Sequence, residues 1–493
     1  MYWTNFLHLY QPNNQVPEIL DRVVNESYRP LVEMLRKNPE IKITININGS
    51  LSEQLVNNYQ DVVDGIIFVA KRGQIEFTDS AKYHALLPFL PVNEIKRQIR
   101  LNQETNRKIF GEVYAPKGFF PPEMAYTPDL APILESLGYE WVILDEIALN
   151  GKAHSFDPET IYTIDGTKLF VFFRERTPSN LIMSALVRNE RDLKELMKDE
   201  YAKKRYMITA MDGETFGHHR PGLQKLLSEL LASSDFQHTF MGELPEVFPK
   251  RKAVVPVAST WSSTEKDIED GVQFLTWSDP KNEIHLLEWK LQKLALSLIS
   301  KHLDHASVEG VARRKLDEAL ASDQFFWASA HPWWSLEMIE AGAWYLLDSI
   351  RSMAGVDIKE IQEAEEIYFK IIAAAFEWQR TGHVRNRYKN YKEQPRIPFK
   401  DRTTGSGEPW VYDAFIELMK DAMKEAARKE SFEEATVWRD AIWKLETKND
   451  IYDATHVIDL LRVNIPNGEI LDMIGKYRKA YEHIASGQPE QRG

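Results

Sequence analysis

Two acidic residues lie where a short apolar run gives way to polar or turn-forming residues. Glu123 ends the segment Gly118-Phe-Phe-Pro-Pro-Glu, and Asp212 follows the run Tyr206–Met211. An α/β barrel carries its catalytic groups at the carboxyl ends of its strands. Two carboxyl groups so placed are the minimum that cleavage of a bond between sugars requires. They are therefore the first candidates for a catalytic pair.

Further polar residues follow other candidate strands. His8 and Gln11 end the first strand in His-Leu-Tyr-Gln-Pro, and Glu76 is assigned to the end of the third in Gly-Gln-Ile-Glu. Glu214 comes two residues after the second candidate acid, and Asp323 lies in Ser-Asp-Gln-Phe-Phe-Trp within a helical region. Each residue alone is explained by a turn, a cap or core packing. Together they favour one site, because turns do not require acids and histidines at successive strand ends.

Composition narrows the classes of partner. The 493 residues carry 61 basic and 74 acidic side chains, a net charge of −13. A nucleic-acid-binding surface needs a basic face, so this balance disfavours DNA and RNA. The absence of cysteine excludes disulfides, thiolate zinc sites and cysteine nucleophiles. We see neither a signal peptide nor an apolar run of about 18 residues, and therefore expect a cytoplasmic protein that does not enter membranes.

The first half of the chain alternates strand-like and helical segments, which predicts parallel βαβ units in an α/β fold. Seven candidate strands favour a barrel, and no glycine-rich dinucleotide loop follows the first of them. A hairpin is predicted for Ile161–Thr163 and Leu169–Phe173 around Asp165-Gly166. The candidate barrel strands are Tyr2–His8, Lys42–Ile47, Gln74–Phe77, Lys117–Phe120, Trp141–Leu144, Tyr206–Met211 and Ala253–Val257.

Helical periodicity dominates after about residue 262. We expect a barrel domain over residues 1–262, a helical subdomain over 263–380 and a C-terminal helical region over 381–493. Residues 380–407 are interpreted as a boundary loop and 488–493 as a frayed tail. Phe432–Ile442 is echoed by Ile451–Leu461 and resembles the helical hairpin of the UvrB and UvrC proteins, a partner-binding element. Ordinary helix packing is the preferred interpretation, with partner binding as the alternative.

The motifs resemble those of glycoside hydrolase family 57, a family of α-glucan-active enzymes. Its five short regions occur in order over about residues 1–330, including Gly-Gln-Ile-Glu, Pro-Glu, Asp-x-Glu-x-Phe-Gly and Ser-Asp-x-Phe. The resemblance implies an incomplete seven-stranded (β/α)7 barrel followed by α-helical subdomains that complete the site. It also implies Glu123 as nucleophile and Asp212 as general acid/base, with no metal or cofactor.

The same resemblance implies supporting roles. Glu76 and Asp323 would hold hydroxyls of the cleaved sugar, His8 and Gln11 would line the floor, and Glu214 would orient Asp212 or bind substrate. His218, beside His219, is expected to bind substrate or tune a pKa, since adjacent histidines in a loop point different ways and do not share a metal. The candidate aromatic platforms are Phe120, Trp261, Trp277, Phe326 and Trp327, with core packing as the alternative for each.

Two departures leave the acceptor open. Many family members have histidine where this chain has Tyr10, and they often have tryptophan where it has Phe120. The leading hypothesis is a retaining hydrolase of α-1,4-glucans, of α-amylase type. A 4-α-glucanotransferase, which the stretch from Glu26 to Gly49 also resembles, or a branching enzyme is the alternative. Two alternatives belong to other classes of protein: a non-catalytic glucan-binding relative, and a metal-dependent deacetylase or mannosidase on a similar barrel. The sequence does not indicate the oligomeric state.

Overall fold

The computed structural model describes residues 1–184, 187, 189–201, 203–220, 222–302, 310–330, 333–384, 409–447, 457–458, 460–461 and 464–485. The chain forms two compact units. The first comprises Met1–Arg176 and Lys198–Arg387, and it contains every candidate site residue. The second comprises Thr177–Met197 and the described residues from 409 onward.

Ten strands among the described residues belong to one sheet. They are β1 (Tyr2–Leu9), β2 (Ile43–Ile47), β3 (Ile75–Asp79), β4 (Gly118–Phe119), β5 (Trp141–Asp145), β6 (Ile161–Ile164), β7 (Phe170–Arg174), β8 (Tyr206–Asp212), β9 (Gln237–His238) and β10 (Arg251–Val254). Seven of them run parallel in the spatial order β8-β1-β2-β3-β4-β5-β7, with β6 and β10 beyond β7 and β9 beside the start of β1.

The seven parallel strands curl until the first and last of them meet without a full ladder. The backbone N–H of Glu175, just after β7, donates to the carbonyl of Ile208 on β8 at 2.9 Å. The Nε of Arg174 donates to the carbonyl of Ala210 at 2.8 Å. One side-chain donor, Arg174, thus replaces part of the backbone pairing across this seam. The prediction of an incomplete seven-stranded barrel is confirmed.

The identity of the seventh barrel strand differs from the prediction. The hairpin around Asp165-Gly166 forms as expected, with β6 and β7 antiparallel, but its second strand, Phe170–Arg174, then pairs with β5 and becomes part of the barrel. The strand predicted at Ala253–Val257 is Arg251–Val254, which lies at the sheet edge and, among the described strands, pairs with β6 alone. Its side chains are largely exposed, whereas those of β7 are almost all buried. A half-exposed strand suits an edge and not a barrel wall.

Helices cover the outside of the barrel and continue beyond it. A π-helical turn, Val24–Tyr28, joins the first two helices. Up to residue 269 the chain forms the helices α1 (Pro17–Val23), α2 (Arg29–Lys37), α3 (Gly49–Asn58), α4 (Gln60–Lys71), α5 (Val92–Phe110), α6 (Leu130–Ser136), α7 (Arg176–Met183), α8 (Glu190–Tyr201), α9 (Leu223–Ala232), α10 (Leu244–Val247) and α11 (Glu265–Glu269), of which α7 and α8 lie mostly in the second unit. Those that follow are α12 (Glu283–His302), α13 (Val311–Ala319), α14 (Asp323–Trp327), α15 (Leu336–Arg351) and α16 (Ile358–Arg380).

The second unit contains the helices Pro409–Arg428, Phe432–Thr447 and Asn467–Ala485. The predicted helix at Phe432–Ile442 is confirmed, whereas most of the echo at 451–461, the loop beyond residue 384 and the tail at 488–493 lie outside the described residues. Within the described part of the chain, every helix is too short or too polar to cross a bilayer.

The barrel interior is a packed core, filled by large apolar side chains from neighbouring strands. Met241, Leu244 and Phe248 close its amino-terminal end. The strand residues in this core include Phe6, Trp141, Ile143, Phe172, Ile208 and Ala210. Burying such residues supplies most of the barrel's stability. It also leaves the carboxyl ends of the strands as the end where polar side chains can gather.

We predict that the barrel depends on a buried ion cluster beside the β7–β8 seam. Asp145, at the end of β5, accepts from Nη1 of Arg174 at 2.9 Å and from Nε of Arg176, and all three side chains are almost fully buried. Asp145→Asn leaves two buried guanidinium groups without their shared counter-charge. The free energy of unfolding, measured by urea denaturation, is expected to fall by about 3–5 kcal/mol.

Glu33→Gln is the control for this prediction. Glu33 pairs with Lys37 at 4.0 Å, and both side chains are more than half exposed. Removing an exposed pair of this kind changes the free energy of unfolding by less than about 0.5 kcal/mol. A result for Asp145→Asn as small as that of the control would show that the cluster does not support the barrel.

Candidate active site

Glu123 lies in a short turn after β4 and has a backbone conformation that non-glycine residues seldom adopt, with φ 62° and ψ 14°. Trp261 holds it at both ends. The indole N–H donates to Oε2 of Glu123 at 2.7 Å, and the backbone N–H of Trp261 donates to the Glu123 carbonyl at 3.1 Å. These two bonds fix the direction in which the carboxyl points.

Asp212 is the last residue of β8 and lies opposite His8 in the β1–β8 register. His8 is in turn opposite Asn46 on β2. Three neighbouring strands therefore bring these side chains to one level at the carboxyl end of the barrel. This is the end at which barrel enzymes place their chemistry.

Burial and mutual repulsion set the protonation of the two carboxyls. Burial, followed by the nearby charge of Asp212, raises the pKa of Glu123 to about 8, although the bond from Trp261 acts in the opposite direction. Burial raises the pKa of Asp212 to about 6, and the charge of Arg174 opposes that rise. In the ligand-free protein the pair therefore holds one proton across the neutral range.

Asp323 reaches the same group from the amino end of α14. The hydroxyl of Tyr10 donates to its Oδ2 at 2.6 Å, and burial raises the pKa of Asp323 to about 6 against the effect of that bond. Its charge also contributes to the raised pKa of Glu123. The charges of Asp212 and Asp323 thus both oppose the ionisation of Glu123.

Two histidines form a hydrogen-bonded chain beside Glu123. Nδ1 of His8 is 2.8 Å from Oδ1 of Asn46, and its Nε2 is 3.1 Å from Nε2 of His84. Nδ1 of His84 is 3.0 Å from Oγ of Ser322 and 3.8 Å from Oε1 of Glu123. Burial lowers the pKa of His8 to about 4 and that of His84 well below its ordinary value.

Because both imidazole rings are neutral, each has one N–H donor and one acceptor nitrogen, which determines the direction of every hydrogen bond in this series. With the Asn46 oxygen as acceptor, the proton of His8 is on Nδ1, so His84 donates from Nε2 and accepts the Ser322 hydroxyl at Nδ1. The ring of Tyr10 stacks on His84 with centroids 4.1 Å apart. The loop after β3 is thereby bound to the residues that flank Asp323.

Glu214 is buried two residues beyond Asp212. Its Oε1 accepts from the hydroxyl of Tyr28 and from Nε2 of Gln11, the latter at 3.2 Å. Burial and the charge of Asp212 raise the pKa of Glu214 to about 7. Glu214 therefore lies beside the catalytic candidates, and Gln11 contacts it directly.

The π-helical turn packs against the loop that follows β8. It supplies Tyr28 to Glu214, and its Ser27 hydroxyl accepts the backbone N–H of His218 at 3.1 Å. Gly217 has φ 126°, and a Cβ there would lie 1.9 Å from the Glu26 carbonyl oxygen. Only glycine fits this approach, which explains the Phe-Gly of the motif.

The structure separates Glu76 from the group that it was expected to join. β3 begins at Ile75, so Glu76 lies near the start of the strand and not at its end, about 10 Å before the carboxyl edge. Its oxygens accept from the backbone N–H groups of Met241 and Gly242 at 3.0 and 3.1 Å. Glu76 therefore closes the opposite end of the barrel, which contradicts the expectation of sugar contact.

Two of the expected aromatic platforms are also corrected. Trp277 is fully buried in a small cluster with Trp289 and Phe325. Phe120 is fully buried beneath the site, with its ring centroid 4.7 Å from that of His8 and 6.0 Å from that of Trp261. Both rings support other side chains, and neither has a face open to a ligand.

The remaining candidates lie at the rim. Trp261 is half-buried and touches Glu123 directly. Phe326 and Trp327 are half-buried on α14, and their rings contact that of Trp333. His218 pairs with Glu26 through Nδ1 at 2.6 Å, with His219 turned to solvent. Within the described residues, no three His, Asp or Glu side chains are grouped so as to hold a metal ion.

The candidate list omitted four residues that the structure adds to this region. His84 and Tyr10 contact each other and two of the acids. Tyr10 lies inside the His-Leu-Tyr-Gln-Pro motif, whereas His84 comes eight residues after Glu76 and lies outside the motifs. Tyr28 and Arg174 carried no such signal, because one comes from a π-helical turn and the other from the misassigned seventh strand.

A curled parallel barrel with buried carboxyls at its carboxyl end has the layout of enzymes that cleave bonds between sugars. Residues 3–260 match the family model described as Glycosyl hydrolase family 57. The chain belongs to this family. Residues 413–448 also match the UvrB/uvrC motif, in agreement with the predicted resemblance.

Named relatives share this part of the chain. An alpha-amylase of Pyrococcus horikoshii is 26% identical over 60% of this chain and 47% of its own length. A 4-alpha-glucanotransferase of Thermococcus litoralis is 25% identical over 55% of this chain and 43% of its own. The matches therefore span less than half of these relatives' lengths. The solved structure of a GH57-type branching enzyme from Pyrococcus horikoshii superimposes with a TM-score of 0.57 over 74% of this chain and 94% of its own at 18% identity, which establishes the shared fold.

We predict that the Trp261 indole N–H lowers the pKa of Glu123. Trp261→Phe removes this donor while the backbone bond to Glu123 stays possible, so the pKa of Glu123 is expected to rise by about one unit. The measurement is a 13C NMR titration of glutamate side-chain carboxyls, with the Glu123 signal assigned from Glu123→Gln.

The matched control is Trp378→Phe, which removes an indole N–H that donates to Glu283 at 2.6 Å elsewhere in the helical region. It is expected to leave the pKa of Glu123 unchanged. An unchanged pKa in Trp261→Phe as well would mean that this bond does not stabilise the ionised carboxylate.

Proposed function

We propose that this protein acts on α-1,4-linked glucans with retention of configuration, through a covalent glycosyl-enzyme. The observation that carries the proposal is the half-buried pair of Glu123 and Asp212, with Glu123 fixed by Trp261 and flanked by Asp323. Membership of family 57 and the names of its relatives, an alpha-amylase and a 4-alpha-glucanotransferase, support an α-glucan as substrate. A neutral glucan is also compatible with an acidic protein.

The proposed reaction has two displacements. Protonated Asp212 gives its proton to the glycosidic oxygen while ionised Glu123 attacks the anomeric carbon, so that the C–O bond to the leaving sugar breaks and an ester to Glu123 forms. Asp212 then takes a proton from water or a sugar hydroxyl, whose oxygen attacks the same carbon and releases Glu123. Two inversions retain the α configuration.

This sequence requires the proton on Asp212 and an ionised Glu123, while burial raises the pKa of both carboxyls in the ligand-free site. The proposal therefore assigns to the neighbouring groups and to the bound glucan the placement of the proton on Asp212. The Trp261 indole N–H favours an ionised Glu123. A glycosidic oxygen that accepts from Asp212 would favour the protonated acid, because a hydrogen bond to the neutral form raises a carboxyl pKa.

Other residues are proposed to position the sugar. Asp323 and the Tyr10 hydroxyl bound to it would hold hydroxyls of the cleaved residue, while Gln11 and Glu214 would form the floor on the side of Asp212. Asp323 comes from the region after residue 262, which supports the proposal that a helical subdomain, 263–380, completes a site built on the barrel, 1–262.

Transfer to a sugar hydroxyl is the second candidate. Phe326 and Trp327 stand half-buried on the helix that carries Asp323, beside Trp333. Rings in this place can bind an acceptor sugar, because the flat C–H face of a sugar packs well on an aromatic ring. The reaction steps are the same and only the second nucleophile differs.

A non-catalytic glucan-binding role is disfavoured because both carboxyls are present.

Incubation with maltoheptaose tests the function. Shorter products alone indicate hydrolysis, and a ladder of shorter and longer products indicates transfer. Glu123→Gln and Asp212→Asn are each expected to lower the rate at least 100-fold, whereas the surface variant Glu33→Gln retains the wild-type rate. Prior dialysis against EDTA is expected to change nothing, since each step passes through side chains. A wild-type protein that leaves maltoheptaose intact would overturn the proposal.

A further inference from the structure

The outer face of α15 carries aromatic rings where a surface helix ordinarily presents charged or small polar groups. Trp344 and Tyr345 are each 38% exposed, although the opposite face of the helix is buried. Together with Glu340, Ala341 and Tyr368 they line an open groove of about 400 Å³. This volume is within the range of small-ligand sites.

The polar groups of the groove are held in place. The Tyr368 hydroxyl donates to Oε1 of Glu340 at 2.6 Å, and the rings of Trp344 and Tyr368 meet edge to face with centroids 6.0 Å apart. The guanidinium of Arg351 lies 5.3 Å from the centre of the Trp344 ring and is also bound to Glu365. Rings flanked by fixed carboxyl, hydroxyl and guanidinium groups offer both the flat face and the hydrogen bonds that sugars use.

Two contacts link the groove to the candidate active site. The side-chain amide of Asn14 donates to the Tyr345 hydroxyl at 3.2 Å, and Asn14 is three residues, at most about 10 Å of backbone, from Gln11 on the floor of the site. On its inner face α15 packs against α14, where Gly342 leaves room for Gln324, the residue after Asp323. A chain bound at the catalytic carboxyls can therefore extend along this rim.

We propose that the α15 groove, formed by Glu340, Ala341, Trp344, Tyr345 and Tyr368, is a second binding site for the α-glucan chain. The groove takes glucosyl units outside the catalytic subsites and holds long substrates by the face of Trp344 and the polar groups beside it. This inference rests on the proposed function, because the glucan is the ligand that the neighbouring site is proposed to cleave.

Trp344→Ala tests the groove. Phe68→Ala is the matched control, because Phe68 is 48% exposed on α4 and has Arg36 and Arg72 over its ring, as Trp344 has Arg351. Both changes are made in the Glu123→Gln background so that no glucan is consumed. Dissociation constants are measured for amylopectin by affinity electrophoresis and for maltotriose by calorimetry.

Trp344→Ala is expected to raise the dissociation constant for amylopectin about tenfold, with an intermediate rise for Trp344→Phe and none for Phe68→Ala. Maltotriose, which is too short to reach both sites, is expected to bind all variants within about twofold of one another. If Trp344→Ala and Phe68→Ala bind amylopectin equally, while the wild-type protein degrades maltoheptaose, the proposed groove site is wrong and the proposed function stands. A wild-type protein that neither retains amylopectin nor changes maltoheptaose overturns the groove and the proposed function together.

Discussion

Four carboxyl side chains share one buried site, and burial opposes the ionisation of each of them. Glu123, Asp212, Glu214 and Asp323 all have pKa values raised to between about 6 and about 8 by burial, in part with repulsion from one another. Such a cluster is costly unless each carboxyl accepts hydrogen bonds or lies near a positive charge. The surrounding structure supplies these groups. Trp261 donates to Glu123, Tyr10 to Asp323, Tyr28 and Gln11 to Glu214, and the charge of Arg174 favours ionised Asp212.

Several irregular features of the fold follow from this requirement. The π-helical turn places Tyr28 over Glu214, the left-handed backbone of Glu123 directs its carboxyl to Trp261, and Gly217 lets the loop after β8 approach that turn. The two histidines remain neutral, so they add hydrogen bonds without adding charge. Buried polar groups at the open barrel seam are paired in a similar way, because Arg174 donates hydrogen bonds to both Asp145 and the Ala210 carbonyl.

The sequence was a sufficient guide to the barrel and to the acids because both have local signals. Buried strands alternate with helices, and an acid after a strand is visible as a pattern, so Glu123 and Asp212 could be identified in advance. Asp323 begins a helix, and it was identified through the resemblance of its Ser-Asp-x-Phe segment to the family motif. Glu76 could not be placed correctly, since its motif marks the start of β3 and only the structure defines which end of a short strand a residue occupies. Trp277 and Phe120 were misjudged because the identity of an aromatic residue does not reveal its exposure. Tyr28 depends on a π-helical turn and Arg174 on a seam between distant strands, and neither has a local signature.

The central claim is that Glu123 forms a covalent bond to the sugar while Asp212 handles the proton. Its most direct test is to incubate the protein with a 5-fluoro-α-maltosyl fluoride, which forms a glycosyl-enzyme readily but releases it slowly, and to locate the added mass by peptide mass spectrometry. The account predicts one maltosyl adduct per chain, located on Glu123 within its peptide, and no adduct in the Glu123→Gln variant. An adduct on Asp212, or turnover of maltoheptaose by a protein that never accumulates an adduct, would contradict it.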